Sequence, residues 1–216
     1  MMVHQFSDPG CRRKDQLNLA GFLPRSEVNG PGNRAVVWVQ GCPIRCRGCF
    51  NEAYWPFSPA HIVTVDELAS RITGIPDING VTFSGGEPFA QAATLALLGD
   101  RVKEAGLTLV TYTGFTTDQL ARGHRPSWYH LLSITDLLIA GPYIDSLACT
   151  GMYRGSSNQQ VIPISGRIGP VSGGRSGPER RDSRVEFTIG MDGSITTSGF
   201  PEKPLVEQLA CRCRGA

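Results

Sequence analysis

The sequence predicts an α/β fold built on a parallel sheet, and three observations carry that reading. Short runs rich in β-branched residues alternate with amphipathic helical runs, the pattern of βαβ units with right-handed crossovers. Every segment with chemical character falls just after one of those strands, at the end of a parallel sheet where ligands bind. The 216 residues are enough to bury the core of one domain of ordinary size.

The elements follow in order. Residues 1–27 show no clear periodicity and read as a loose N-terminal extension. Val28-Asn-Gly-Pro-Gly-Asn-Arg34 is a turn or loop by its glycines and proline. Ala35 to Gln40 is a short buried strand, and a cysteine-bearing loop follows it directly. Thr64-Val-Asp-Glu67 has capping-box form and opens an amphipathic helix to about Ile72. Gly80 to Phe83 is the second strand, and Ser84-Gly-Gly-Glu-Pro88 turns the chain into a helix from about Ala90 to Ala105. Leu107 to Tyr112 is the third strand, closed by Thr113-Gly114. Thr116 caps another helix with Gln119 at the matching position, and Asp136 to Ala140 is the fourth strand, stopped by Gly141-Pro142. Residues 28–164 thus form the main domain. Residues 165–184 are a Gly/Ser/Pro/Arg linker. Residues 185–216 are a small extension, with a hairpin around Met191-Asp-Gly193 and a last helical turn or two from Pro204 to Ala210. No internal repeat is visible.

Composition bounds the function. Hydrophobic residues at 40% and charged residues at 19% describe a globular chain. A net charge of +2 calls for neither a nucleic-acid partner nor a membrane surface. No apolar run approaches the ~18–20 residues of a membrane span. Met1 to Asp15 holds no apolar stretch of signal-peptide type, so the expected compartment is the cytoplasm. In a reducing compartment, seven cysteines point to metal binding or catalysis rather than disulfides.

Cys42-Pro-Ile-Arg-Cys46-Arg-Gly-Cys49 brings three thiols close enough in sequence to share one metal centre. A structural zinc normally takes four ligands, and Cys211 or Cys213 could supply the fourth. A four-iron cluster held by three cysteines leaves one iron open to substrate. Spacing alone leaves both readings standing. The other candidates have bland readings beside them. Glu87 could be an ordinary turn carboxylate, Asn51 a local cap, and Trp38, Trp55 and Trp128 packing residues. Arg154 could anchor a loop. The four histidines show no ligand spacing, and Cys11 and Cys149 read as plain thiols. Arginines 167, 175, 180, 181 and 184 are interrupted by Glu179 and Asp182 and read as a solvated linker.

With these residues on the page, the chain resembles the radical S-adenosylmethionine superfamily, whose signature has this three-cysteine spacing. Ser84-Gly-Gly-Glu-Pro88 resembles its second signature. Val28 to Arg34, Gln40-Gly-Cys42 and Gly48-Cys49-Phe50-Asn51 look like the glycyl-radical-enzyme activases. Tyr112-Thr-Gly-Phe115, Asp136 to Gly141 and Arg154-Gly-Ser-Ser-Asn-Gln159 are most similar to the anaerobic ribonucleoside-triphosphate reductase activating proteins. The resemblance runs from about Val28 to Pro163.

It implies an incomplete (partial) β/α barrel with a small C-terminal extension. It implies one [4Fe–4S] cluster per chain on Cys42, Cys46 and Cys49, with S-adenosylmethionine on the fourth iron. Gly48, Cys49 and Phe50 would line that cofactor, and Gly85, Gly86 and Glu87 would meet its methionine amino group. Thr113 and Gly114 would lie against its adenosine. The implied reaction is reductive cleavage to a 5′-deoxyadenosyl radical that generates a glycyl radical on a partner, an anaerobic ribonucleotide reductase. A reduced flavodoxin- or ferredoxin-like protein would donate the electron, with no nucleic acid or membrane involved. No further catalytic side chain is required.

Two features depart from the pattern. Gly48 stands where the superfamily often has an aromatic residue, and the tail from about Gly166 to Ala216 exceeds the minimal activating proteins. Two alternatives therefore stay beside the main reading. One is radical modification of a different protein or peptide, with the tail as recognition piece. The other is a metal-binding interaction module without catalysis.

Overall fold

Strands and helices alternate through the computed structural model, which describes residues 15–149, 153–169, 184–189 and 195–199. The strands are β1 (Gln16–Ser26), β2 (Arg34–Val39), β3 (His61–Thr64), β4 (Gly80–Gly85), β5 (Thr108–Thr113), β6 (Leu137–Ala140), β7 (Gln160–Pro163), β8 (Val185–Ile189) and β9 (Ile195–Gly199). The first seven form one sheet in the order β3-β1-β2-β4-β5-β6-β7. Its centre, β2-β4-β5-β6, is parallel, and antiparallel strands flank it on both sides. The expected α/β class and parallel sheet are present.

The helices are α1 (Val65–Thr73), α2 (Ala92–Glu104), α3 (Thr117–Arg122) and α4 (Pro126–Ile134). Both expected capping boxes form. The Thr64 hydroxyl accepts the Glu67 N–H while Glu67 accepts the Thr64 N–H, and Thr116 and Gln119 repeat the exchange. The parallel strands advance in one direction across the sheet, so right-handed crossovers carry every connecting helix to the same face. Alternation along each strand then divides the side chains. Ala35, Val37, Val39, Val81, Phe83 and Leu109 pack with Leu68, Ile72, Leu95, Leu98 and Leu131 of the helices in the main core. Val110, Leu137 and Ile139 point to the other face, against Tyr112, Tyr153, Val161 and Ile168.

The structure corrects the reading of residues 1–27 as a loose extension. Gln16–Ser26 is an 11-residue strand paired with both β2 and β3. Its register with β2 shifts between Leu19 and Gly21 and again between Leu23 and Ser26. Each irregularity breaks the period-2 alternation that would announce a strand. β3, α4 and β7 were likewise not anticipated. The hairpin of the extension forms as β8 and β9, paired antiparallel. Its Asp-Gly turn, residues 1–14, most of the linker and the stretch from Phe200 onward, with Cys211 and Cys213, lie outside the described residues.

At the strand starts, Arg34 is fully buried. It donates to the Thr82 and Thr108 hydroxyls and to the carbonyls of Pro31, Val81 and Thr108. Burial lowers its pKa to about 10, so it remains a cation near neutrality. This network explains the Val28–Arg34 loop, which folds back over the strand starts with Gly30 and Gly32 at positive φ.

Candidate metal and cofactor site

The cysteine loop leaves β2 at Val39 and is tied down at its base. Gly41 donates its N–H to Tyr54 O at 2.8 Å, and Cys42 donates to Trp55 O at 3.1 Å. Gln40 reaches the Pro56 carbonyl, and Asn18 of β1 holds Ser58 O and the Ala60 N–H. Within the loop, Cys49 N–H donates to Cys46 O, with Arg45 and Gly48 at positive φ.

The three thiols share one cavity wall. Each receives backbone N–H groups: Cys42 from Ile44 and Arg45, Cys46 from Tyr143, and Cys49 from Asn51 at 3.4 Å. Burial raises the pKa of both Cys42 and Cys46. Among the described residues, no three of His, Cys, Asp and Glu are grouped to hold a single ion. A four-iron cluster takes each thiolate on a separate iron, and three thiols on one wall with N–H donors to sulfur suit it.

The Ser84–Pro88 turn crosses this loop. Gly86 N–H donates to Val39 O at 2.7 Å, and Glu87 N–H donates to Gly41 O at 2.9 Å. A Cβ at Gly85, where φ is +103°, would stand 2.5 Å from Val39 N, and one at Gly86 would stand 2.4 Å from Gly41 O. The two glycines therefore let the turn lie against the cysteine loop's own backbone. The Asn51 side chain adds a hydrogen bond to Gly85 O.

Glu87 is 1% exposed. Its Oε1 accepts from Phe89 N–H at 2.9 Å and from the Thr113 hydroxyl at 2.8 Å, and its Oε2 accepts from Gly114 N–H at 2.8 Å. Burial pushes its pKa up to about 7 against these three donors. No cation pairs with it among the described residues, and Oε2 keeps acceptor capacity on the cavity side. The Trp55 indole N–H, also on the wall, is buried without an acceptor. A buried carboxylate and a spare donor on the wall of one cavity fit a ligand that carries an ammonium and an acceptor, as the methionine end of S-adenosylmethionine does.

Of the residues singled out from sequence, Cys42, Cys46, Cys49, Phe50, Gly85, Gly86, Glu87, Thr113 and Gly114 line this cavity together, and Gly48 does not. Gly48 instead makes the left-handed turn between Cys46 and Cys49, facing Asp145. Thr113 and Gly114 spend their polar groups on Glu87.

Sequence reasoning missed Tyr143 and the work of Arg154 to Gln159. Gln159 accepts the N–H groups of Gly155 and Ser156 and donates to Gly141 O, while Asn158 donates to Pro142 O. This clamp fixes the loop from which Tyr143 donates to Cys46 and meets the Phe50 ring edge-on at 5.4 Å. The motif was visible, but its target lies 18 residues back along the chain from Gln159.

The cavity is partly open to solvent, and Thr196 to Gly199 of β9 also line it.

Comparison with known proteins agrees with this geometry. A protein-family description, the 4Fe–4S single cluster domain, matches residues 28–162. The anaerobic ribonucleoside-triphosphate reductase-activating protein of Vibrio cholerae is 32% identical over 154 residues, covering 67% of this chain and 97% of that protein. The Haemophilus influenzae protein of the same description is 31% identical over 156 residues, with the same coverage of each. The pyruvate formate-lyase-activating enzyme of Staphylococcus aureus is 36% identical over 120 residues, covering 52% of this chain and 47% of that enzyme. Three thiols on one wall, a glycine-paired turn laid against their loop and a match across the central sheet have one common explanation: the chain belongs to the 4Fe–4S single-cluster family of anaerobic ribonucleoside-triphosphate reductase-activating proteins.

Proposed function

We propose that this chain is a radical S-adenosylmethionine activase that installs a glycyl radical on an anaerobic ribonucleotide reductase. The observation that carries the reading is the single cavity in which Cys42, Cys46 and Cys49 face the buried, cation-free carboxylate of Glu87. When bound, the cluster and S-adenosylmethionine supply one-electron cleavage of the sulfonium and a 5′-deoxyadenosyl radical that takes hydrogen from glycine Cα.

The chain's own residues bind, orient and exclude water. Cys42, Cys46 and Cys49 would each hold one iron, and the N–H groups of Ile44, Arg45, Tyr143 and Asn51 would favour the thiolate forms. Glu87 would accept from the methionine ammonium, held in place by Thr113 and Gly114. An ammonium there would draw its pKa back down from about 7. Phe50 and Tyr143 would cover one side. The parallel centre with helices on one face supports a partial-barrel description of the domain. A flavodoxin- or ferredoxin-like reductant completes the reading. Among the described residues, no helix is long and apolar enough to cross a membrane.

The test is anaerobic reconstitution with iron and sulfide, reduction, and incubation with S-adenosylmethionine and the anaerobic reductase of the same organism. A glycyl radical signal by electron paramagnetic resonance is expected. Release of 5′-deoxyadenosine with no such radical would point to a different protein or peptide target. A colourless protein with stoichiometric zinc would sink both readings.

A further inference from the structure

Part of the cavity's wall comes from the part of the chain that the resemblance does not cover. Thr196, Thr197, Ser198 and Gly199 all border it, and no residue of β8 does. Successive side chains on a strand point to opposite faces, so a face would contribute every second residue only. Four consecutive residues mean that β9 meets the cavity edge-on, with the edge away from β8. Among the described residues, β9 pairs with no strand other than β8, so its outer row of N–H and C=O groups faces that space.

The hairpin is fixed in this position. The Asn29 amide donates to the Ser198 hydroxyl, and the Glu27 N–H donates to the Glu186 carboxylate at 2.7 Å. Arg184 lies 3.8 Å from Glu27, and a Cβ at Gly199 would stand 3.3 Å from Val28. Among the described residues that line the cavity, Glu87 is the one charged side chain. The described polar side chains of β9 on the wall, Thr196, Thr197 and Ser198, are neutral, as are Asn29 and Gln159 elsewhere on it. A row of unpaired peptide groups with neutral neighbours selects main chain rather than a phosphate or a charged small molecule. An extended peptide added to an exposed edge uses those groups for affinity and the adjoining side chains for specificity.

We propose that β9 is the docking strand for the protein substrate. Its free edge takes the extended segment that carries the target residue as an added strand, which leads that segment along the cavity toward the cysteine end. The inference rests on the activase reading and deepens it by naming where the partner's main chain binds.

The test uses the full-length, cluster-reconstituted protein with S-adenosylmethionine. Two synthetic peptides serve as probes: one spans the radical-bearing glycine of the reductase from the activation assay, and the other has the same side chains with alternate backbone nitrogens methylated. The unmethylated peptide is expected to slow hydrogen exchange at amides of Ile195–Gly199 by about tenfold or more and to bind about tenfold more tightly than its methylated twin. Equal affinity for the two peptides, no binding, or bound peptide with unchanged exchange in β9 overturns the proposal. If the reductase gains its radical while β9 exchange is unchanged, docking on β9 is wrong and the activase reading stands. If β9 is protected but no radical forms, docking stands and the assigned reaction is wrong.

Discussion

Two buried carboxylates sit at opposite ends of the parallel strands and are treated in opposite ways. Asp136, with a side chain of 0% exposure, enters β6 from below. It holds Lys103 Nζ at 2.7 Å, the Ser165 hydroxyl at 2.5 Å and the Leu109 N–H at 2.7 Å, with Arg167 at 3.8 Å. Glu87, at the upper end, holds two N–H groups and a hydroxyl and no cation. Burial works against ionisation in both. At Asp136 it is outweighed by Lys103, Ser165 and the Leu109 N–H, and the pKa falls below the ordinary aspartate value. At Glu87 burial wins. A carboxylate that serves the fold brings its counter-ion with it, and one that serves a ligand leaves the place of the counter-ion to that ligand.

The largest test breaks the lower carboxylate. Asp136→Ala strands the Leu109 N–H and the part-buried Lys103 ammonium, and is expected to cost about 3 kcal/mol in urea denaturation. Glu87→Gln is expected to leave stability within about 1 kcal/mol but to weaken S-adenosylmethionine binding ~30-fold, about 2 kcal/mol, by equilibrium dialysis of the reconstituted protein. Equal stability losses in the two variants would remove the distinction.

The pH dependence sharpens it. The Glu87 pKa is raised on folding, so the stability from its proton is complete below the unfolded value near 4.5 and is lost as pH rises through about 7. The ligand-free protein should gain about 2 kcal/mol between pH 8 and pH 5.5 from this group, a slope that Glu87→Gln removes. The Asp136 pKa is lowered, so its contribution is constant over that window and is lost only as pH falls below the ordinary aspartate range. The smallest effect concerns the Tyr143 N–H. Gln159→Ala releases the Gly141 loop and should lower the cluster's reduction potential in spectroelectrochemistry, with stability changed by about 1 kcal/mol or less.

Local signals were legible in the sequence. Both capping boxes, the four parallel strands and the two arms of the terminal hairpin fall where their residues place them, because each depends on neighbours within a few positions. The cysteine loop and the Gly85-Gly86 turn were legible through their motifs. What was hidden depends on distant partners. β1 was concealed by its register shifts. The support of Glu87 comes from Thr113 and Gly114, more than 25 residues on. The place of β9 against Asn29 could not be read through a linker whose composition carries no distance information.

The ties at the base of the cysteine loop have a consequence for cluster loading. Gly41 and Cys42 are bonded to Tyr54 and Trp55 through backbone groups. The entropy of closing that ring is lost when the sheet forms, so it is not charged again when iron arrives. A loop base anchored by the sheet's own backbone differs from a zinc finger, whose fold is held by its metal. The Gly41 and Cys42 amides should accordingly exchange with solvent as slowly as those of β2, to which the loop base is joined.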